Sequence, residues 1–278
     1  MTTAAPTTSM VGASRQLQKT NRCLRFSQRI LTWLAMAMFV FLYLPIFILV
    51  IYSFNENKVV GVWSSFSLRW YAELFQDEAI AKALWVSLWV ALWSTIFSTI
   101  LGTLAALSLE RFRYRGRTTF DAVLYLPVII PDIVMALSTL LFFVMFAIPL
   151  SRYTILIAHI AFNISFVAIV VRARLAGMDA RLEEAAADLG ADEWTTFRRI
   201  TLPLLMPGIV AAALLAFTLS LDDFVITFFV AGPGSTTLPV RVYSMIKFGV
   251  TPEVNAVSTL MFVGSTLLVI LSLFIQRR

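Results

Sequence analysis

Long apolar runs recur along the whole chain, separated by shorter polar segments, and this pattern predicts the main elements. A run of roughly 17 to 25 residues is long enough to cross the hydrocarbon core of a bilayer as a helix. A helix also satisfies its own backbone hydrogen bonds, which lipid cannot do. The pattern therefore predicts six transmembrane helices, over residues 30–54, 83–109, 120–148, 154–171, 204–230 and 256–275.

The composition agrees with lipid as the solvent. Of the 278 residues, 59% are hydrophobic and only 14% are charged, and the mean hydropathy is +0.85. These values exclude an ordinary water-soluble globule. We expect an all-α integral membrane protein with one transmembrane domain over residues 30–278. Residues 1–29 are polar and basic without an acidic residue, and are predicted to form a flexible tail.

The positive charges are distributed unevenly between alternate loops, and this asymmetry predicts the orientation. One side of the predicted bundle holds 16 of the 22 Lys and Arg residues, at positions 15, 19, 22, 25, 29, 111, 113, 115, 117, 172, 174, 181, 198, 199, 277 and 278. That side is predicted to be cytoplasmic, with both termini inside. The net charge of +6 is therefore explained by membrane topology, and no nucleic-acid partner is expected.

Several kinds of chemistry are missing from the sequence. The single cysteine, Cys23, allows no intrachain disulfide, and the single histidine, His159, has no neighbouring ligand, so no metal site is expected. We predict a hydrogen-bonded packing role for His159. No G-x-x-x-x-G-K-[ST] motif is present, so this chain cannot hold nucleotide phosphates. A nucleophile with a base, as an intramembrane enzyme needs, is not apparent either.

A face of small residues runs along the second predicted span. Ser94, Ser98 and Gly102 recur every four residues, so they lie on one face of a helix. Small residues in membrane helices allow close approach of a neighbour. This face is predicted to pack against another span.

The longest loop on the predicted cytoplasmic side, residues 172–203, carries a spaced motif: Glu184, Ala185, Ala186, Gly190, Ile200, Leu202 and Pro203. The pattern predicts a helix with an Ala face, a glycine in a left-handed turn at its end, and a second amphipathic helix closed by the proline. Such a pair would form a knob at the membrane surface. The alternative interpretation is an ordinary solvated loop held by ion pairs.

This spacing, E-A-A, three residues, G, nine residues, I-x-L-P, resembles the EAA motif of ABC-importer permeases at every defined position. The resemblance extends over nearly the whole chain to the permeases of spermidine/putrescine importers. It is carried by YLPIFILVIYSFN (43–55), RWYAEL (69–74), PDIVMALSTLL (131–141), SLDDFVITFFVAGPGSTTLP (220–239) and PEVNA (252–256). KVVGVW (58–63) and AGPGSTTLP (231–239) are more similar to the putrescine-type member.

The resemblance implies a type I ABC-importer permease in the bacterial inner membrane, with a polyamine, putrescine foremost, as its cargo. It implies that the motif residues dock onto a cytoplasmic ATPase. It also implies two ATPase subunits, a second homologous permease and a periplasmic polyamine-binding protein as partners. The chain itself would bind no cofactor and would not be an enzyme, since ATP would be used by the partner ATPase.

Three acids lie within the predicted spans: Asp132, Asp222 and Asp223. An ionisable group in hydrocarbon is expensive and indicates function. At ~1.5 Å per residue, Asp132 would lie about 18 Å from the inner surface and Asp222 about 27 Å. Carboxylates without fixed cations suit a cargo that carries several ammonium groups. The alternative is that the acids brace broken helices, and Pro131 favours such a break.

Two further functions remain open from the residues alone. The coupling motif would also fit an importer permease for iron, sulfate or an oligopeptide, although the acids disfavour anions. A secondary transporter should show matching repeat halves with broken spans, and the sequence shows no such symmetry.

Overall fold

The computed structural model describes residues 8–58, 61–179, 181–247, 249 and 251–276. This part of the chain is helical, and its extended segments pair only in an isolated bridge between Asn55 and Phe66. The helices are α1 (Thr8–Tyr52), α2 (Arg69–Leu74), α3 (Glu78–Arg111), α4 (Arg117–Ile129), α5 (Asp132–Met145), α6 (Arg152–Ala176), α7 (Arg181–Asp188), α8 (Glu193–Thr196), α9 (Leu202–Asp222), α10 (Val225–Val230), α11 (Leu238–Ile246) and α12 (Pro252–Gln276), with a π-helical turn (Phe197–Thr201) between α8 and α9.

Five helical segments are long and apolar enough to cross a membrane: Gln28–Tyr52, Glu78–Arg111, Arg152–Ala176, Glu193–Asp222 and Pro252–Leu271. The predicted all-helical class is therefore confirmed. The third predicted span, 120–148, is not one helix, because α4 and α5 meet at a bend of 112°. By length and hydropathy, the described residues therefore contain five candidate spans, or six if this bent pair crosses the membrane as one unit.

The chain divides into two compact units, Met1–Tyr52 and Ser53–Arg278. The first unit is helix α1, which begins at Thr8. Most of the tail predicted over residues 1–29 is thus helical here, while residues 1–7 lie outside the described part. The flexibility of the tail stays a prediction.

The second unit is built around α3, α6 and α9. Ser94 and Ser98 of α3 are fully buried. A Cβ atom at Gly102 would lie 2.7 Å from the Cβ of Val167 on α6, so only glycine permits this approach. The small-residue face predicted for the second span is therefore confirmed as a helix-packing surface.

Arg172 of α6 ties three helices together at one end of this bundle. Its Nε donates to Glu110 of α3 at 2.8 Å, and its Nη1 donates to Asp121 of α4 at 2.5 Å. The guanidinium also lies over the ring of Tyr125, 5.8 Å from its centre. Because the planar guanidinium presents several fixed donors, one side chain holds the ends of α3, α4 and α6 in register.

Candidate functional site

The bend between α4 and α5 places Asp132 at the start of a helix. Ile130 and Pro131 are extended, with ψ values of 133° and 138°. Proline has no N–H to continue the ladder, and it disfavours the helical conformation of the residue before it. The helix break that Pro131 favoured is thus observed. The depth counted for Asp132 assumed an unbroken span, so that estimate does not hold.

A second break follows Asp222, the last residue of α9, and separates it from the short helix α10. The fifth predicted span, 204–230, is therefore also interrupted. Asp223 is extended, with ψ of 124°. Its carboxylate accepts hydrogen bonds from the backbone N–H groups of Ile226 at 3.3 Å and Thr227 at 2.8 Å. These are among the orphan donors of the first turn of α10, so Asp223 stabilises the break.

The two breaks meet at one cavity of 360 Å³. All three predicted intramembrane acids line it: Asp132, Asp222 and Asp223. The other lining residues are largely apolar or aromatic: Pro127, Met135, Phe162, Phe166, Thr218, Leu219, Phe224, Val225 and Ile226. No Lys or Arg occurs among the described residues that line it. The structure thus brings the three predicted acids together in one cavity. The count of helix rise had instead placed Asp132 and Asp222 at two different depths.

The three carboxylates differ in how far they are already engaged. Asp223 receives two backbone N–H groups, the Thr227 hydroxyl at 2.8 Å and a contact from His159. Among the described residues, Asp222 receives only the hydroxyl of Ser265, at 3.0 and 3.2 Å from its two oxygens. The Asp132 side chain is exposed and has no hydrogen bond or ion pair to any residue in the described ranges. Asp132 and Asp222 therefore keep acceptor capacity for a ligand.

His159 is the centre of a buried polar network. Its side chain is fully buried, its Nδ1 lies 2.7 Å from the Ser220 hydroxyl, and its Nε2 lies 3.2 Å from Asp223 and 3.0 Å from Thr227. The hydroxyl of Ser94 in turn donates to Ser220 at 2.9 Å. A neutral imidazole protonated on Nε2 satisfies every member, since Ser220 then donates to Nδ1 and His159 donates to Asp223. This network is consistent with the packing role predicted for the histidine.

Ser220, His159 and Asp223 have the order of contacts found in a serine hydrolase triad. Ser220 is only 4% exposed, however, and its oxygen already accepts from Ser94. A substrate carbonyl has no access to that hydroxyl, so the arrangement is structural. The described residues also contain no cluster of three or more His, Cys, Asp or Glu side chains able to hold a metal.

The EAA-type motif begins on α7 and turns at Gly190. Glu184 and Ala185 are exposed on this helix, and Ala186 is buried. The N–H of Ala191 donates to the carbonyl of Ala186 at 3.0 Å, and the N–H of Gly190 donates to that of Ala187 at 2.9 Å. Gly190 has φ of +82°, and the two bonds form a Schellman turn. The predicted left-handed glycine is observed.

The second half of the motif differs from its prediction. Pro203 does not close a second short helix. It is the second residue of α9, and the helix continues past it to Asp222. The chain passes from α8 through the π-helical turn into α9, and the half-buried Ile200 and Leu202 lie on either side of that junction. The hydropathy pattern could not locate this junction, because apolar residues continue through it.

A groove of 300 Å³ lies on the surface of this loop. It is lined by Leu182, Ala185, Ala186, Leu189, Ala191, Thr195, Thr196, Arg199 and Ile200. Leu189 is 88% exposed and Trp194 is 66% exposed beside it. Large apolar side chains so exposed at a polar loop indicate a surface that contacts another protein. The motif residues were predictable from the sequence, whereas Leu189 and Trp194 were not, because they are not defined positions of the motif.

Apolar spans, an acid-lined cavity between broken helices and a helical loop with exposed apolar side chains together define an α-helical membrane transport protein. Residues 98–278 match the family model of the binding-protein-dependent transport system inner membrane component. The chain is 46% identical over 229 residues to the putrescine transport system permease protein PotI of Escherichia coli, covering 80% of this chain and 82% of that protein. It is 43% identical over 241 residues to the spermidine/putrescine transport system permease protein PotC of the same species, covering 87% and 91%.

The fold is also found in a solved structure. The chain superimposes with a TM-score of 0.74 and 20% identity on a chain of a bacterial ABC transporter involved in the import of the acidic polysaccharide alginate, covering 95% of this chain and 99% of that one. The protein belongs to the family of binding-protein-dependent transport system inner membrane components. The resemblance drawn from the sequence to permeases of spermidine/putrescine importers is confirmed.

Proposed function

We propose that this chain is the permease subunit of an ATP-driven importer that moves polyamines into a bacterial cytoplasm, with putrescine as the main cargo. The cavity lined by Asp132, Asp222 and Asp223 carries this proposal. In a poorly hydrated passage, carboxylates replace part of the hydration that an ammonium group loses. The phenylalanine rings in the same wall add faces that attract cations and surfaces that accept methylene chains.

The three acids take two roles. Asp132 and Asp222 contact the cargo, because their oxygens retain acceptor capacity toward the cavity. Asp223 braces the break between α9 and α10, because its oxygens are already bonded to backbone N–H groups and to His159. Both alternatives drawn from the sequence therefore apply, each to different residues.

The loop with Glu184, Ala185, Ala186, Gly190, Ile200, Leu202 and Pro203 docks onto the ATPase. The exposed α7 surface, the rigid turn at Gly190 and the apolar groove support this docking role. The transporter then contains two ATPase subunits, a second homologous permease and a periplasmic polyamine-binding protein. The fold is the type I importer permease fold, six spans place both termini in the cytoplasm, and ATP is used by the partner ATPase.

The test is cargo-stimulated ATP hydrolysis by the purified complex in proteoliposomes, with the binding protein in excess. Putrescine and spermidine are expected to stimulate hydrolysis and to accumulate, with putrescine the more effective of the two. Sulfate, ferric ion and a peptide serve as comparison cargoes. Stimulation by one of these and not by a polyamine would contradict the cargo assignment. Uptake that continues without ATP hydrolysis under an ion gradient would instead indicate a secondary transporter.

A further inference from the structure

Arg111, the last residue of α3, is bonded to the motif loop at two points. Its Nη2 donates to the carboxylate of Glu183 on α7 and, at 3.1 Å, to the hydroxyl of Thr201 at the end of the π-helical turn. The Thr201 hydroxyl donates in turn to the same Glu183 carboxylate at 2.6 Å. The three side chains thus form a closed triangle that joins α3, α7 and the start of α9. This triangle is called the Arg111 link below.

The link is sheltered rather than freely solvated. Thr201 is fully buried, and the side chains of Arg111 and Glu183 are 31% and 32% exposed. Successive residues on a helix point about 100° apart, which separates the two neighbouring acids of α7. Glu183 turns inward to the link while Glu184 stays exposed. One helix therefore presents one acid to the bundle and the next to the solvent side.

The chain's own path from the loop into the bundle contains an irregular helical turn. It runs through the π-helical turn Phe197–Thr201, in which the N–H of Leu202 reaches back five residues to the carbonyl of Phe197. Such wide turns are rare and frequently occur at functional sites. The Arg111 link bypasses the turn and connects α7 directly to α3.

Beyond Arg111, the connection continues through a second charged cluster. The preceding residue, Glu110, is bonded to Arg172 of α6, which also holds Asp121 of α4. Helix α4 leads to the bend directly before Asp132. Two ion-pair clusters, joined through the backbone between Glu110 and Arg111, therefore connect the motif loop to α3, α4 and α6. Of these helices, α4 ends at the bend beside the acid-lined cavity.

We propose that Arg111, Glu183 and Thr201 are positioning residues that transmit movement of α7 to the helix bundle, so that ATP hydrolysis by the docked partner is converted into opening of the cavity. This inference rests on the proposed importer function. It adds a specific route by which the docked loop moves the spans. The physical evidence for such a route is a change in coupling, which the test below measures.

The test uses charge reversal in the assembled complex. Arg111→Glu and Glu183→Arg each place like charges together, and the double variant restores an opposite pair in reversed order. The readout is the number of cargo molecules imported per ATP hydrolysed, with copurification of the partners as the check on assembly. Each single variant is expected to lower this ratio at least about fivefold, which is the lower end of the changes that coupling between two sites usually produces. The double variant is expected to recover most of the loss.

Two matched variants make the test specific. Arg113→Glu reverses an exposed charge two residues away, and Arg113 has no ion pair with any described residue; its ratio should stay near that of the wild type. Thr201→Val removes the hydroxyl and keeps the side-chain shape, whereas Thr201→Ser keeps the hydroxyl. Val should uncouple hydrolysis from import, and Ser should not.

Three outcomes would overturn the link: an unchanged ratio in both single reversals, an equal loss in Arg113→Glu, or no recovery in a double variant that assembles. Failure of the cargo assignment is distinguishable from these outcomes. The ratio is measured with whichever solute stimulates the wild-type complex, while the cargo assignment depends only on which solute that is.

Discussion

Asp222 and Asp223 are neighbours in the sequence but have different surroundings. Asp223 turns toward α6, where His159 and the first turn of α10 occupy its oxygens. Asp222 faces α12, where one serine hydroxyl is its only hydrogen-bond donor among the described residues. Asp222 also lines a second, mostly apolar cavity of 470 Å³. Because adjacent side chains at a helix end point in different directions, one of the pair can serve the fold and the other the cargo.

The carboxylates of Asp132 and Asp222 should matter in proportion to the charge of the cargo. Asp132→Asn and Asp222→Asn keep the side-chain shape and remove one Coulombic partner each. Uptake should fall in both variants, and more for spermidine than for putrescine. Asp223→Asn should reduce uptake of both cargoes by the same factor. It weakens the hydrogen bonds that stabilise the chain at the helix break and removes no cargo contact. Initial uptake rates at saturating binding protein measure this.

Equal and slight losses for both cargoes in the Asp132 and Asp222 variants would assign these residues to structure instead. A loss in Asp223→Asn that grows with cargo charge would show that this residue also contacts the cargo. Membrane abundance of each variant is the control, since a misfolded permease would lower all rates together.

The His159 network should contribute to stability. His159→Phe keeps a ring of similar size but leaves the Ser220 donor and one Asp223 acceptor without their partner. An unsatisfied buried polar group costs roughly 1–3 kcal/mol, so the unfolding midpoint in detergent should fall clearly. Trp85→Phe, at a side chain that is 65% exposed, is the control and should change the midpoint little. Equal unfolding midpoints for both variants would show that the network does not stabilise the fold.

At the scale of elements, the left-handed conformation of Gly190 leads to a direct prediction. Gly190→Pro cannot adopt φ of +82° and should destroy the turn. Uptake should be lost while the chain still inserts into the membrane. Gly190→Asn is the matched control, because Asn tolerates the left-handed region, and it should retain most of the activity. No atom outside its neighbours lies within 4 Å of a Cβ built at Gly190, so only the backbone conformation differs between the two.

Substitutions of Glu184 test the charge of the docking surface, whereas those of Gly190 test its shape. Glu184→Arg reverses the charge that α7 presents to the ATPase and should abolish uptake. Glu184→Gln removes the charge at constant shape and should give an intermediate rate. Copurification of the ATPase separates loss of docking from loss of coupling. Uptake near the wild-type level in Glu184→Arg, at equal membrane abundance, would refute the docking role.

Elements of this protein differ in how well the sequence predicts them. The spans are visible because lipid demands long apolar runs, and the turn at Gly190 is visible because few residues accept its conformation. The 112° bend is not visible in hydropathy, since apolar residues continue on both sides of Pro131. The position of Pro203 is not visible in hydropathy either. The motif pattern predicted that this proline closes a short helix, but it lies at the start of α9.

The site was predictable only as a set of residue types. The cost of charge in lipid singled out Asp132, Asp222 and Asp223 without showing that they share a cavity. Their meeting depends on how α5 and the end of α9 pack, and the contact of His159 with Asp223 spans 64 residues of sequence. The Arg111 link was hidden for the same reason, because Arg111 and Glu183 are 72 residues apart.

At the scale of the whole molecule, the bent pair α4–α5 decides the topology. If it crosses the membrane as one unit, six spans place both termini on the same side. If it enters and returns, five spans place them on opposite sides. The distribution of Lys and Arg favours the first arrangement. The Arg111 link favours it too, because it holds the end of α3 against α7 and so keeps the loop between α3 and α4 on the same side as the motif loop.

Cysteine labelling separates these arrangements. In a Cys23→Ser background, single cysteines at Arg115, Leu189 and Pro233 lie in three different loops, and all three native side chains are exposed. Ser235, in the same loop as Pro233, is unsuitable because it is 4% exposed and bonded to Gly232.

An impermeant thiol reagent, applied to cells with a permeabilised outer membrane, should label Pro233→Cys only. Arg115→Cys and Leu189→Cys should react only after lysis, because two crossings return the chain to the cytoplasm between them. Labelling of Arg115→Cys in intact cells beside a protected Leu189→Cys would show that α4–α5 is re-entrant and would contradict the Arg111 link. Labelling of both with a protected Pro233→Cys would reverse the orientation.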